Sequence, residues 1–224
     1  MKGIKVFLLA VAFLVGCGSD KHEDIYVGGT QVQLYLVNQS NYPNEKIQKL
    51  LYALNLQLQV DFKPVWAIDA KIFYQDPPDS RYQTVILKQN FADFPAAWHK
   101  SLGFHTTGTL AYVDIDECKY DEYISLAVSH EILEMLVNPN VERTGYEVCD
   151  PVHLLAYSYL QGDLAVTDFV YPAFYNPLAP GPYDRNGIVQ APLQPAPGST
   201  LFATLQSLLK LSAWDINVKQ KSRK

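Results

Sequence analysis

Three residues in the stretch Ser129-His130-Glu131-Ile132-Leu133-Glu134 have the types and spacing of a metal site with a base beside it. Residues four apart on a helix share a face, so His130 and Glu134 can reach one ion. An imidazole nitrogen and a carboxylate oxygen are both ordinary zinc ligands. Glu131 stands next to them, placed to take a proton from a water that the ion acidifies. Metal-assisted hydrolysis is the chemistry this pattern serves. The bland alternative is a solvated helix face, with both glutamates outward and His130 hydrogen-bonded. The bare string is short enough to arise by chance, so its surroundings must decide.

The spacing follows the logic of the HExxH metallopeptidase signature, with a glutamate where the second histidine stands. A catalytic site needs a third protein ligand and an open position. Glu147-Val148-Cys149-Asp150-Pro151-Val152-His153 supplies the candidates, in the order Asp150, Glu147, His153. Cys149 is a further rival. A His130, Glu134, Asp150 set carries two carboxylates, which reduces the charge that acidifies water. It therefore predicts slow or narrow hydrolysis, or a metal harder than zinc. His153 as ligand would restore a His₂Glu set. Tyr146, Tyr157 and Tyr171 are candidate donors to a developing oxyanion. No phosphate loop, dinucleotide fingerprint or serine-hydrolase elbow is present, and the cysteines fit no structural zinc pattern.

The N-terminus reads as an export signal. Lys2 and Lys5 precede a short apolar core from Val6 to Val15. That core is too short for a bilayer span, which takes roughly 20 residues, so it reads as a cleaved segment. Leu14-Val15-Gly16-Cys17 resembles a bacterial lipobox, which implies cleavage before Cys17 and lipidation of its thiol. No aspartate follows Cys17, which favours the outer membrane over the inner. The expected organisation is a signal at 1–16, a tether at 17–24, a single domain over 25–215 and a basic tail at 216–224. With Cys17 assigned to lipid, Cys118 and Cys149 remain, and an oxidising compartment permits one disulfide between them. Net charge is -5, with the acidic groups dispersed, and the only basic run is the C-terminal Lys219, Lys221, Arg223 and Lys224. This points away from nucleic acid.

The elements that must position the site follow from periodicity. Val27–Val37 alternates as a strand. Ile47, Leu50, Leu51, Leu54 and Leu58 recur as a helix opened by Pro43, with Pro64 ending the run. Val65–Tyr74 and Tyr82–Leu87 read as strands separated by Asp76-Pro77-Pro78-Asp79-Ser80. Phe91–Leu102 reads as a short helix and Thr109–Ile115 as a strand. The site helix begins near Asp121 and stops before Pro139. Tyr146–Cys149 is extended, and propensity leaves Val152–Leu160 open between helix and strand. Residues 171–200 are rich in proline and glycine, yet Phe169, Tyr171, Phe174, Tyr175 and Tyr183 are large groups that pack. Leu201–Leu211 reads as a final amphipathic helix.

The blocks Ser129 to Pro139 and Tyr146 to Pro151 resemble an uncharacterised group of phage and bacterial proteins with the patterns SHExLExLxDP and EVCDPV. Asp168 to Pro177 resembles a third block of that group, usually DFVxPxWF. The resemblance spans roughly residues 108 to 187. Members are treated as zincin-like metallopeptidases. It implies an α+β fold with a twisted mixed sheet against an active-site helix, and a Pro/Tyr-rich irregular C-terminal region. It implies His130, Glu134 and Asp150 around a metal, Glu131 as base, and Glu147 close by. Three departures stand out: Asn138 replaces the usual aspartate, Phe174-Tyr175 the tryptophan-phenylalanine pair, and His153 an acidic residue. The expectation is a lipid-anchored envelope peptidase using Zn²⁺ or another divalent metal on an extended peptide. A non-catalytic envelope lipoprotein that binds a peptide or partner, and a cell-wall amide hydrolase, are its rivals.

Overall fold

The computed structural model describes residues 31–106, 108–140, 146–153, 155–159 and 164–199. The signal at 1–16, Cys17, the tether, the start of the first strand, the helix expected at 201–211 and the basic tail lie outside them.

Strand β1 (Val32–Gln39) leads into helix α1 (Asn44–Leu56), which buries Ile47, Leu50, Ala53 and Leu54. Helical structure then continues as a π stretch, Gln57–Phe62, and a last turn α2 (Lys63–Trp66). Pro64 therefore does not break the run as expected. It sits at the start of α2, where a missing N–H is tolerated, because the π turns before it have already left the regular hydrogen-bond register. Ala67 stops the chain with a left-handed φ of 56°. The strand expected over Val65–Tyr74 is thus shortened to β2 (Ala70–Tyr74).

Strand β3 (Gln83–Lys88) is followed by a segment in which only Ala96–Trp98 turns, as a 3₁₀ helix. The short helix expected within Phe91–Leu102 is reduced to this single turn. Pro95 disfavours helical geometry in the residue before it, and Phe91, Phe94 and Trp98 instead cluster on Phe104 at ring separations of 5.2, 5.3 and 4.3 Å. Phe104 belongs to β4 (Gly103–His105), a three-residue strand without a counterpart in the sequence reading. Strand β5 (Leu110–Asp114), the single turn α3 (Ile115–Cys118) and the long helix α4 (Asp121–Val137) complete the core.

The five strands pair in the order β2-β1-β3-β5-β4. β1, β2, β3 and β5 run parallel, and the edge strand β4 runs antiparallel to β5, with His105 opposite Ala111. Side chains alternate across a strand, so Leu34, Leu36, Ile72, Val85, Leu87, Ala111 and Val113 share one core with the buried residues of α1 and α4. Tyr35, on the opposite face, packs on Phe73 and Tyr82. The result is a mixed α+β fold in which α4 lies against β3, β4 and β5. Beyond it, β6 (Ala156–Tyr157) and β7 (Val166–Thr167) pair antiparallel, and the Pro/Tyr-rich segment packs as expected, with Phe169 and Phe174 fully buried. Among the described residues no helix is long and apolar enough to cross a membrane.

Candidate metal centre

Asp121 and Glu122 place negative charge on the first turn of α4, where it complements the helix dipole. The helix is then buried on nearly every side, from Ile124 to Leu136. A helix so enclosed must satisfy its polar groups internally. Ser129 does so by donating to Leu126 O while its Oγ accepts from Thr167 N, which ties β7 to the helix. Glu131 and Glu134 have side-chain exposures of only 8% and 5%. The solvated-face alternative is therefore wrong for both glutamates, and buried carboxylates need partners.

Those partners are imidazoles, other acids and the backbone. His130 Nε2 lies 3.1 Å from Glu134 Oε2 and 3.5 Å from Asp150 Oδ1. Glu134 Oε1 accepts from Cys149 N. Burial opposes charge on His130, but the Glu134 and Asp150 carboxylates outweigh it and hold its pKa well above 6.5. Burial raises the Glu134 pKa, against the pull of His130. Glu147 is pushed up to about 7 by burial and by the nearby Glu134 charge. Asn138 does more than end α4. Its N–H bonds Glu134 O, and its Nδ2 donates to Glu147 Oε1 at 2.8 Å, a bond an ionised aspartate could not donate.

His105 enters this centre from β4 and was not foreseen. Its Nδ1 lies 3.2 Å from Glu131 Oε2 and 3.9 Å from Glu134 Oε2. Its Nε2 is buried with no hydrogen-bond partner among the described residues. Gly103 makes the approach feasible: a Cβ there would stand 3.0 Å from both Glu131 Oε1 and Tyr112 O. The available signals were Gly103 itself and a histidine set between Phe104 and Thr106, too short a pattern to place beside a helix 26 residues on.

Among the described residues, two sets have ligand atoms all within 4.8 Å of one another: His130, Glu134 and Cys149, and His105, Glu134 and Glu147. Either is compatible with metal coordination, and Glu134 belongs to both. Asp150 reaches His130 but falls in neither set. Cys149 is a buried thiol that donates to His130 O, with its pKa pushed well above 9 by burial. Cys118 is also free and buried, and donates to Leu102 O. The expected Cys118–Cys149 disulfide is not formed, and the two thiols are engaged at different carbonyls.

The C-terminal segment straps the ligand loop down. Tyr175 OH donates to Glu147 O, Ser199 Oγ donates to Asp150 O, and Ala196 N donates to Pro151 O. Tyr175 stacks on Tyr146 at 4.2 Å, and Trp66 Nε1 bonds Val170 O. His153 faces Ser199 Oγ at 3.2 Å and belongs to neither ligand set, but it lines the cleft. That cleft, about 370 Å³, opens between β4 and α4 with Gly103, Leu126, His130 and Glu131 in its wall. None of Tyr146, Tyr157 and Tyr171 lines it, whereas Tyr123 does.

The chain matches no protein-family model, no curated protein and no solved structure. Fold and site together define a mixed α+β protein whose long buried helix contributes His130 and Glu134 to clusters of histidine, glutamate and cysteine compatible with metal coordination.

Proposed function

We propose that the protein is a metal-dependent hydrolase of zincin-like layout that cleaves an amide bond in an extended peptide, with zinc the first metal to test. One observation carries the reading: His130, 3.1 Å from Glu134 one helical turn on, lines with Glu131 the cleft that β4 borders. The donor set fits a divalent ion. Two imidazoles and several carboxylates converge, one imidazole nitrogen is unpartnered, and among the described residues no lysine or arginine pairs with any of these acids.

In this reading His130 and Glu134 would hold the metal, with Asp150, 3.5 Å from His130 Nε2, as the third ligand. A bound ion supplies Lewis acidity toward the substrate carbonyl and toward water. Glu131 takes the proton from the attacking water and returns it to the leaving amine. His105 fixes the Glu131 carboxylate through Nδ1. The antiparallel edge strand β4 borders the cleft, and an extended peptide can pair with such an edge. Tyr123 brings a phenol to the same wall. Export and lipidation at Cys17 belong to the same proposal and would hold the domain at the bacterial envelope, on the outer membrane.

The full chain, loaded with zinc, is to be screened against a library of quenched fluorescent peptides. Cleavage should vanish with chelator, and Glu131→Gln should lower the rate by about 10²–10⁴-fold, the usual worth of a general base, while keeping its metal. A folded chain that takes up no zinc, manganese or cobalt would refute the reading. Stoichiometric metal without cleavage of peptides or cell-wall amides would leave a binding lipoprotein.

A further inference from the structure

We propose that His105, Glu134 and Glu147 form a second divalent-cation site, so that Glu134 bridges two ions in one buried centre. This rests on the reading of His130 and Glu134 as ligands and extends it to a two-metal hydrolase. Glu134 Oε2 stands between two imidazoles, 3.1 Å from His130 Nε2 and 3.9 Å from His105 Nδ1. A ring nitrogen of His105 and carboxylate oxygens of Glu134 and Glu147 lie within 4.8 Å of one another, as do ligand atoms of His130, Glu134 and Cys149. Two such triads sharing a carboxylate are the arrangement in which metals sit about 3.5–4 Å apart.

The His105 ring supplies the independent sign of a ligand. Its side chain is 7% exposed, Nδ1 faces Glu131, and Nε2 has no hydrogen-bond partner among the described residues. A metal-ligating histidine commonly donates its other ring N–H to a carboxylate. Glu131 is such a carboxylate, 3.2 Å from Nδ1, and the ring it orients keeps a buried nitrogen, Nε2, with no hydrogen-bond partner among the described residues. Charge points the same way. Glu131, Glu134, Glu147 and Asp150 bring four carboxylates into one pocket, and among the described residues no lysine or arginine pairs with them. The mixed nitrogen and oxygen donors suit zinc, manganese or iron(II) better than calcium. Asn138 holds Glu147 in place through a 2.8 Å hydrogen bond.

The test is metal content of the full chain by mass spectrometry after loading with zinc or manganese, in the parent, His105→Gln, Glu147→Gln and His130→Ala. Two ions per chain are expected in the parent, with one retained in His105→Gln and in Glu147→Gln. The manganese-loaded parent, which needs no substitution, should give an exchange-coupled electron paramagnetic resonance spectrum. One ion per chain, lost in His130→Ala but kept in His105→Gln and Glu147→Gln, would overturn the second site and leave the proposed function standing. So would an isolated-ion manganese spectrum at saturating metal. No ion in the parent would overturn both.

Discussion

Replacing Asp168 with asparagine should make the protein more stable above neutral pH and remove part of its pH dependence. Asp168 and Asp184 are fully buried and face each other. Asp184 is held by the backbone, with Oδ1 accepting from Val189 N and Oδ2 from Ile188 N, and it keeps capacity for a further donor. Asp168 Oδ1 accepts from Phe169 N and Arg185 N, whereas Oδ2 has no hydrogen-bond partner among the described residues. Between two carboxyls only a proton can complete a hydrogen bond. Burial and the Asp184 charge accordingly push Asp168 from its ordinary 3.8 up to about 7. The nearest guanidinium offers no relief, because Arg185 Nε is engaged with Asp61 Oδ1 at 3.0 Å.

The sign follows from linkage. A carboxyl whose pKa is raised on folding contributes fully below its unfolded pKa, and that contribution is lost as pH rises through the folded pKa. The window here runs from about pH 4 to just above pH 7. At about 1.4 kcal/mol per pH unit, the loss has an upper bound on the order of 4 kcal/mol. Asparagine keeps an oxygen for the two N–H donors and presents an N–H to Asp184 at every pH. Urea unfolding at pH 4.5 and pH 8, in chelator so that metal linkage does not enter, should give similar stabilities for both proteins at the lower pH. At the higher pH the variant should exceed the parent by about 2–4 kcal/mol, roughly 1 M in midpoint at a typical urea slope. Glu147 titrates over the same interval in both proteins and cancels in the comparison. Equal pH slopes, or a variant less stable than the parent at pH 8, would refute the shared proton.

Gly103→Ala should lower the melting temperature by several degrees, since the added Cβ meets Tyr112 O and Glu131 Oε1 at 3.0 Å and overpacking costs about 1–3 kcal/mol; an unchanged melting curve would show that β4 does not lie this close to α4. Asp150→Asn should weaken metal binding more than about tenfold, while Cys149→Ser leaves it nearly unchanged, measured by competition with a chromophoric chelator. The reverse order would make the thiolate the third ligand. Phe174→Ala empties a fully buried position beneath the strap and should cost about 3–5 kcal/mol in denaturant unfolding; a loss below 1 kcal/mol would mean that the strap does not depend on this ring.

The site helix was readable because its chemistry and its boundaries are both local. Asp121 and Glu122 open it, Asn138-Pro139 closes it, and the four-residue spacing needs no knowledge of what packs around it. Glu147 and Asp150 follow soon enough in sequence to be candidates by proximity. The misses share a different cause. Pro64 was weighed as a helix breaker, which it is only in regular α geometry, and the π stretch before it removed that premise. The disulfide was inferred from compartment and parity, neither of which says where a thiol points. Cys118 and Cys149 point at separate carbonyls.

His105 is the instructive omission, because its role exists only through pairing. Three residues of β4 become a strand only by lying antiparallel against β5, with Gly103 opposite Val113 and His105 opposite Ala111. That register sends the histidine toward α4 and leaves Phe104 among Phe91, Phe94 and Trp98. A shift of one residue would exchange the two faces, sending Phe104 toward the carboxylates and the imidazole into the aromatic cluster. The ring cluster therefore does more than fill space. Apolar contacts at Phe104 select the register that delivers His105 to Glu131, so the electrostatics of the centre depend on packing outside it. Phe104→Ala should thus loosen His105 without touching any ligand. Its expected signature is a drop in metal affinity out of proportion to the change at the His130 set, seen as loss of one of two bound ions. A Phe104→Ala protein that is destabilised yet retains its full metal content would show that the strand pairing alone holds the register.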